Sequence, residues 1–316
     1  MTLKERLKKN QYIYGIYKWA KEKKRTGGKY KFINRSENRN KLCIVLAGYK
    51  EYLWDSVFDR LFAFVEKDID VCIISSGVYS EDLALICQNN NWSYLSTQKN
   101  KLTLAQNIAI LLHPNAELIY KLDEDIFITE NYFQIMEQTY AQAQKDDKYE
   151  VGFVGALLTV HGYGFLRVLE KLNKVEQTEK IFGHLRYGEM GKNPAYTDPN
   201  FAKYMWGDGL EELQNIDKVA KEFQKEDIKY ELSPFRFAIG AILMPRQIWE
   251  DMGKFPVTSG WNMGVDETSL NTYCFLNSKV IVVAENTLVG HFAYFPQNEA
   301  MKLFYSEHKE NFRGEI

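Results

Sequence analysis

Three acidic residues, Asp123, Glu124 and Asp125, directly follow a predicted strand at residues 117–122. Asp123 and Asp125 are separated by one residue, so at a strand end both side chains can point into one crevice. Carboxylate oxygens suit Mg²⁺ or Mn²⁺, and such an ion can bridge the two phosphates of a diphosphate. Acidic residues also favour helix N-termini. The run therefore predicts either a metal site for a phosphorylated ligand or an acidic loop that starts the next helix.

From Lys41 onward, apolar segments alternate with segments that have helical spacing, and these elements must position the acidic run 123–125. This alternation predicts an α/β fold with a mainly parallel sheet flanked by helices on both faces. Ligands of such sheets bind at the carboxyl ends of the strands. The predicted strands are 42–47, 70–74, 92–95, 117–122, 151–158, 237–244 and 280–284, and the predicted helices are 54–65, 81–87, 102–112, 131–144, 245–252 and 267–276.

Two segments fall outside this alternation. Residues 1–31 form a predicted basic helix with an apolar stripe, which Thr26-Gly27-Gly28 ends, and a polar linker follows. Residues 161–233 hold glycine-rich turns, predicted helices and many aromatic residues, which either belong to the core or stack on sugar rings. We interpret them as an insertion over the acceptor side of the sheet. The predicted organisation is a basic helix and linker at 1–40 and one domain at 41–316, with halves at 41–158 and 235–316 and the insertion between them.

Composition narrows the class of protein. The chain has 316 residues, is 45% hydrophobic and carries a net charge of −2, which argues against a general nucleic-acid binder. Residues 1–31 alone carry a net +9, so the remainder carries −11. The sequence shows no apolar run long enough for a membrane span and no signal peptide. The four cysteines lack metal-ligand spacing, so we expect reduced core residues of a cytoplasmic protein.

Four blocks of the sequence resemble glycosyltransferases of the GT-A fold, and family 2 of these enzymes in particular. The resemblance covers residues 41–158 and 235–295. It implies a Rossmann-like GT-A domain that uses a nucleotide sugar and a divalent metal, Mn²⁺ or Mg²⁺. The blocks are Asn107-Ile108-Ala109 with 121–127 and Asn131-Tyr132-Phe133, then 240–246 leading to 252–256, then 264–270, then Leu288-Val289-Gly290-His291-Phe292.

The resemblance also implies roles for individual residues. Asp125 matches the metal-binding aspartate, and Asp123 matches a contact to ribose or metal. His291 matches a histidine that completes the metal and diphosphate site, although a buried structural histidine is the alternative. Asp266 and Glu267 match the acidic pair that supplies the catalytic base, and first-turn helix residues are the alternative. The family order is Glu then Asp, so the inversion leaves the base open, and we favour Glu267.

The donor side departs from the family pattern. After the second strand the family usually has an acidic residue that binds the nucleotide, whereas this chain has Ser75 and Ser76. Either hydroxyl can hydrogen-bond the base or the ribose. The loop after the first strand offers the Tyr49 ring for stacking on a base or for packing. The predicted donor-binding set is Ala47, Gly48, Tyr49, Ser75, Ser76, Asn107 and Asp123.

The sequence thus predicts an inverting, metal-dependent glycosyltransferase. A UDP-sugar is the expected donor, and a glycan or lipid-linked polysaccharide precursor is the expected acceptor. The basic helix is expected to lie on an anionic membrane at its inner, cytoplasmic face, or else to pack on the acidic body of the chain. Two other functions are possible: an inactive sugar-binding or scaffold protein of the same fold, and a sugar-phosphate nucleotidyltransferase. The loop 47–50 poorly matches the glycine-rich basic loop of the latter.

Overall fold

The computed structural model describes residue 20 and residues 22–188, 192–260 and 264–314. Within them, ten strands form one mixed sheet in the order β1-β4-β3-β2-β5-β9-β7-β10-β6, and β8 pairs with β10 outside this path. The strands are β1 (Tyr30–Ile33), β2 (Lys41–Leu46), β3 (Ile69–Ser76), β4 (Ser93–Thr97), β5 (Leu118–Asp123), β6 (Ile126–Phe127), β7 (Glu150–Leu158), β8 (Tyr230–Leu232), β9 (Ala241–Pro245) and β10 (Lys279–His291).

Helices pack against this sheet and supply the rest of the core. They are α1 (Trp54–Phe64), α2 (Glu81–Asn89), α3 (Leu102–Leu112), α4 (Tyr132–Lys145), α5 (Gly164–Lys171), α6 (Val175–Phe182), α7 (Pro194–Thr197), α8 (Pro199–Tyr204), α9 (Ile216–Phe223), α10 (Arg246–Asp251), α11 (Val265–Leu276), α12 (Asn298–Glu307) and α13 (Lys309–Arg313). The predicted α/β architecture is therefore confirmed. All four cysteines are buried and unpaired, as expected for core thiols.

The sheet is parallel except around β9 and at its edges. β2 pairs in parallel with β3 and β5, whereas β9 runs antiparallel between β5 and β7. The strand expected at 237–244 begins only at Ala241. The reason is that the Asn271 side chain bonds both the N–H and the carbonyl of Phe237, at 2.8 and 2.9 Å, so these groups do not join the ladder.

The start of the described chain differs from the prediction. Residues 22–26 are helical and Gly27 follows the helix, as expected, but Tyr30–Ile33 forms β1, antiparallel to β4, which the sequence did not predict. The Arg25 guanidinium holds the helix end on the body by bonding the Gly253 carbonyl, and the Lys254 carbonyl at 2.7 Å. Most of the predicted basic helix, residues 1–19 and 21, lies outside the described residues.

The insertion is tied to the sheet. Its strand β8 pairs with β10, and its aromatic residues Phe201, Tyr204 and Trp206 are buried in the core. The sequence pattern predicts one helix at 210–225, but this helix is interrupted, because the Asn215 side chain caps α9 by accepting bonds from the backbone N–H groups of Asp217 and Lys218.

Arg60 joins the insertion to the body of the molecule. This fully buried side chain of α1 contacts both carboxylate oxygens of Asp217 at 2.8 and 2.9 Å. It also donates to the carbonyls of Ile128 and Phe312. A buried charge needs such complete pairing. Arg60 thereby connects α1, the segment after β6, the insertion and the C-terminal helix α13.

None of the helices in the described ranges has the length and apolar composition required to cross a bilayer.

Candidate active site at the strand ends

The carboxyl ends of β2, β3, β5 and β10 meet at one edge of the sheet. Leu46 at the end of β2 is in register with Asp123 at the end of β5. Because β9 is antiparallel, its start lies at the same edge, and the Gly240 carbonyl accepts a bond from the Asp123 N–H at 3.0 Å. His291 is the last residue of β10. The topology thus gathers most of the predicted donor and metal residues around one crevice.

The middle residue of the acidic run builds the neighbouring loop. Glu124 is buried and accepts hydrogen bonds from the N–H groups of Gly48 and Tyr49 and from the Trp54 indole, at 2.8 to 3.0 Å. These bonds fix the loop after β2. Burial nevertheless raises the pKa of Glu124, and the donated bonds oppose the shift. Glu124 is therefore a structural carboxylate between two that face the crevice.

Asp125 lies against two nitrogen atoms. Its carboxylate contacts the Lys50 ammonium, and His291 Nε2 lies 3.7 Å away. Burial raises the pKa of Asp125, but Lys50 and His291 outweigh burial and hold it below its ordinary value. The lower pKa keeps Asp125 ionised as a carboxylate at neutral pH.

His291 is arranged as a ligand with a free lone pair. Its Nδ1 lies 2.5 Å from the Val160 carbonyl, so this nitrogen carries the proton and Nε2 faces Asp125 unprotonated. Burial lowers the pKa of His291 and keeps the ring neutral. The unprotonated ring nitrogen thus lies 3.7 Å from the same Asp125 oxygen that the Lys50 ammonium contacts. Metal bonds of about 2.1 Å to each atom can span the 3.7 Å gap, so this pair fits a divalent cation.

The third predicted ligand, Asp123, is bonded to a lysine. Asp123 Oδ1 accepts a bond from the buried Lys121 ammonium at 2.6 Å, and 37% of the Asp123 side chain is exposed to the crevice. Burial and the nearby Asp125 raise the pKa of Asp123, while Lys121 opposes the shift. In the part of the chain that the structure describes, no three His, Cys, Asp or Glu side chains are assembled to hold a metal. The structure brings together Asp125 and His291 of the predicted set.

The acidic pair lies at the start of α11, where its two members have different surroundings. Asp266 is buried and accepts a bond from the Gln106 amide at 2.7 Å. Glu267 pairs with the Arg236 guanidinium at 2.5 and 2.6 Å, and one fifth of its side chain is exposed. Burial raises the pKa of Glu267, and Arg236 opposes the shift. Glu267 is the more accessible carboxylate of the two.

The predicted donor side is only partly open. Tyr49 is 62% exposed, and its hydroxyl donates to the Ser76 carbonyl at 2.6 Å, so the ring stands at the mouth of the crevice. Ala47 is buried, and its N–H bonds Ile74. Ser75 is buried and donates to the Val78 carbonyl. Among the side chains of 47, 49 and 75, the Tyr49 ring is therefore the accessible one.

Two further residues of the donor set are committed to protein contacts. Ser76 is buried, and its hydroxyl lies 3.4 Å from the Lys99 carbonyl. Asn107 is fully buried, and its amide bonds the carbonyls of Arg25 and Phe255, the Trp249 indole and the Phe255 N–H. This amide has no capacity left for a ligand, so we leave Asn107 out of the proposed site.

Four residues of the site were not predicted from the sequence. Lys50, Lys121 and Arg236 each neutralise one of the crevice carboxylates. The insertion residue Trp206 donates its indole N–H to the His291 carbonyl at 2.9 Å. A basic residue directly after Gly48-Tyr49 was a usable signal for Lys50, because this loop follows a buried strand. The sequence carries no local signal for the other three.

Comparisons with known proteins give a likeness to solved structures alone, since no protein-family model and no curated protein matches the chain. GalNAc-T7 with UDP, GalNAc and Mn²⁺ is 12% identical over 87% of this chain, with a TM-score of 0.47. The mannosyltransferase PcManGT from Pyrobaculum calidifontis, in complex with GDP-Man and Mn²⁺, is 12% identical over 94% of this chain, with a TM-score of 0.46. TarS from S. aureus, residues 1–349, is 12% identical over 84% of this chain, with a TM-score of 0.44.

The chain spans 50% of the GalNAc-T7 chain, 69% of the PcManGT chain and 65% of the TarS chain. The mixed α/β sheet found here agrees with the GT-A fold that the sequence resemblance implies. At these identities and TM-scores the likeness says nothing about the donor, metal or acceptor of this chain.

Proposed function

We propose that this chain is a metal-dependent, inverting glycosyltransferase that uses a nucleotide sugar, with a UDP-sugar as the expected donor. The observation that carries the proposal is the Asp125–His291 pair at the strand ends, where a carboxylate and a neutral imidazole face the same point. Glu267, on a helix that begins at the same edge, supplies a carboxylate for the acceptor. The proposed acceptor is a glycan or a lipid-linked polysaccharide precursor.

Asp125 and His291 would hold Mn²⁺ or Mg²⁺, with Asp123 as a further metal or ribose contact once it leaves Lys121. The bound metal would neutralise charge that develops on the departing diphosphate. Lys50 contacts the same carboxylate from the loop after β2 and would have to release it when a metal binds, which would free its ammonium to pair with a negatively charged group of the donor. Tyr49 offers its exposed ring to the nucleotide base.

Glu267 is the proposed base. It would accept the proton of the acceptor hydroxyl while the hydroxyl oxygen attacks the anomeric carbon and the bond to the diphosphate breaks. Its partial exposure and its raised pKa suit this role better than the buried Asp266, which Gln106 holds. Direct attack by the acceptor on the face opposite the leaving group inverts the anomeric configuration.

The two other functions are less well supported. A nucleotidyltransferase needs free backbone N–H groups to cradle phosphates in the loop after the first strand. Here the N–H groups of Gly48 and Tyr49 are bonded to Glu124. An inactive scaffold has no need for an ionised carboxylate facing a neutral histidine at the strand ends.

Ligand-induced stabilisation tests the proposed function. A ligand that binds only the folded protein raises its melting temperature, and the stabilisation grows with the logarithm of the ligand concentration divided by Kd. We expect UDP or a UDP-sugar with Mn²⁺ to raise the melting temperature, and UDP release to require Mn²⁺. Stabilisation by a nucleoside triphosphate and a sugar phosphate, without UDP release from any nucleotide sugar, would support the nucleotidyltransferase instead.

The proposed membrane contact depends on residues 1–19 and 21, whose structure is not described here. Deleting residues 1–19 is expected to release the protein from anionic vesicles and to spare activity on a short soluble acceptor, because each basic residue contributes about 1 kcal/mol of binding near such a surface. The deletion must stop before Arg25, which bonds the body. Full-length protein that fails to co-sediment with anionic vesicles at low salt would contradict this proposal.

A further inference from the structure

A mostly apolar groove runs along one side of α11. Its volume is about 590 Å³, and it lies between α11 and the segment 232–236, with the start of β10 as its floor. The apolar side chains that line it include Leu232, Pro234, Phe235, Phe275, Leu276 and Ile281. No step of the proposed reaction uses this groove.

One end of the groove meets the proposed base. Arg236 and Thr268 line this end, and the Arg236 guanidinium bonds the Glu267 carboxylate at 2.6 Å. Asn271, one turn further along α11, also lines the groove and donates to the Glu267 carbonyl at 2.8 Å. Glu267 itself does not line the groove, so Arg236 is the side chain that connects this end of the groove with the carboxylate that would activate the acceptor.

The other end of the groove is open to solvent and carries exposed apolar side chains. Phe275 and Leu276, in the last turn of α11, are 84% and 72% exposed. Lys279 also lines the groove near this end, and Glu150 pairs with its ammonium at 2.5 Å. The distance from Thr268 to Leu276 along the helix is about 12 Å at 1.5 Å per residue. The exposed apolar side chains thus lie about 12 Å from the end that Arg236 lines, which leaves room for a hydrocarbon chain.

We propose that this groove binds the apolar part of the acceptor, which is a sugar linked at its far end to a hydrocarbon chain. The inference rests on the proposed function, because Glu267 defines which end receives the hydroxyl. The sugar hydroxyl reaches Glu267 beside Arg236, and the hydrocarbon chain lies along Asn271 and Thr272 toward Phe275. The exposed pair Phe275 and Leu276 covers the chain where it leaves the groove.

Binding of alkyl glucosides in the absence of donor tests this inference by calorimetry. The probes are methyl, hexyl and octyl β-D-glucoside, each used below its micelle concentration. Burial of a methylene group strengthens binding by up to about fourfold. We expect affinity to rise with chain length and the rise to weaken in Phe275→Ser. The matched control is Phe295→Ser, because Phe295 is equally exposed, at 85%, and does not line the groove.

A second variant fills the groove. Thr272→Trp places a large ring on its wall and is expected to abolish the gain from octyl over methyl glucoside, while UDP and Mn²⁺ still raise the melting temperature. Equal affinity for all three glucosides, or an equal loss in both serine variants, would overturn the inference. A dimer that Phe275→Ser converts to a monomer, with the chain-length effect intact, would also overturn it and assign the face to a second copy.

The inference can fail separately from the proposed function. If the glucosides show no chain-length effect but UDP release still depends on Mn²⁺, the groove assignment is wrong and the glycosyltransferase stands. If no nucleotide sugar binds but the chain-length effect is present, the groove binds amphiphiles and the proposed reaction is wrong.

Discussion

The acidic run after β5 and the acidic pair at the start of α11 place their carboxylates in similar ways. In each, one carboxylate is buried and fixed by neutral donors: Glu124 by backbone N–H groups and Trp54, and Asp266 by Gln106. The next residue in each case meets a cation, Lys50 or Arg236.

The difference lies in what else faces the second carboxylate. Asp125 also faces the lone pair of His291, whereas the Glu267 carboxylate is paired with the Arg236 guanidinium. The pKa of Asp125 is lowered and that of Glu267 is raised. An ionised carboxylate beside a neutral imidazole suits a metal, and a carboxylate with a raised pKa suits proton transfer. Similar local surroundings thus give the two carboxylates opposite pKa shifts, which matches the different roles proposed for them.

Removing the metal carboxylate should have the largest effect. Asp125→Ala is expected to abolish Mn²⁺ binding and to reduce transfer by at least about 10³-fold, because the metal supplies several kcal/mol of charge stabilisation. Mn²⁺ titration followed by electron paramagnetic resonance, with circular dichroism to confirm folding, measures both effects. Asp123→Ala is the matched control and should weaken Mn²⁺ binding less. Near-normal Mn²⁺ binding in Asp125→Ala would show that Asp125 is not a metal ligand, and the proposed difference between Asp125 and Glu267 would be wrong.

The second prediction concerns the proposed base. Glu267→Gln keeps the shape of the side chain but cannot accept a proton, so kcat should fall by about 10²–10⁴-fold with Mn²⁺ affinity unchanged. Asp266→Asn serves as the control, since Asp266 is expected to act structurally. A large fall in Asp266→Asn and none in Glu267→Gln would transfer the role to Asp266. A loss of Mn²⁺ affinity in Glu267→Gln would mean that Glu267 belongs to the metal site and is not a separate base.

The third prediction is a pH effect of smaller size. A general base must be deprotonated, so activity falls as pH drops through its pKa, and the raised pKa of Glu267 moves this acid limb above that of an ordinary glutamate. Arg236 lowers that pKa. Arg236→Met should therefore shift the acid limb of kcat to still higher pH. An unchanged limb, measured over pH 4 to about 8 in buffers of constant ionic strength, would show that Glu267 does not control it.

The smallest expected effect is on stability. In Glu124→Gln, one carboxylate oxygen becomes an amide NH₂ group, which cannot accept a bond from the N–H groups of Gly48, Tyr49 or Trp54. The substitution should therefore lower the free energy of unfolding by about 1–3 kcal/mol. Urea denaturation measures this change. Activity at saturating donor should remain, because Glu124 faces away from the crevice. A loss of kcat as large as that of Glu267→Gln would contradict its structural role.

The sequence predicted the parts of this site that lie at the ends of regular elements. An apolar run that stops at Asp123, and acidic residues that open a helix at Asp266, are local patterns, and local patterns fix where a strand or helix ends. The cations could not be predicted in this way. Lys50 is 75 residues from Asp125, and Arg236 is 31 residues from Glu267, so only the tertiary fold brings them together.

Strand β10 is longer than the sequence pattern predicts. The sequence predicted a strand at 280–284 that ends before the polar residues Glu285, Asn286 and Thr287, but the strand continues to His291 through a register shift. These polar side chains are buried and bonded, Asn286 to backbone carbonyls of 223 and 226 and Thr287 to the Leu157 N–H. In a sequence pattern, polar residues indicate the end of a strand. In the folded chain, hydrogen bonds to these polar side chains allow β10 to continue to His291.

The Arg60 contacts described above have a consequence for how this chain can vary among its relatives. A guanidinium that is fully buried against Asp217 cannot lose that partner alone, because an uncompensated buried charge typically costs about 3–5 kcal/mol. Sequences that lose the carboxylate at 217 must also replace Arg60 with an uncharged residue. Substitutions at 60 and 217 should therefore be inherited together, although the two positions lie on separate elements of the chain. The bond to the backbone carbonyl of Phe312 places no such constraint on the side chain at 312.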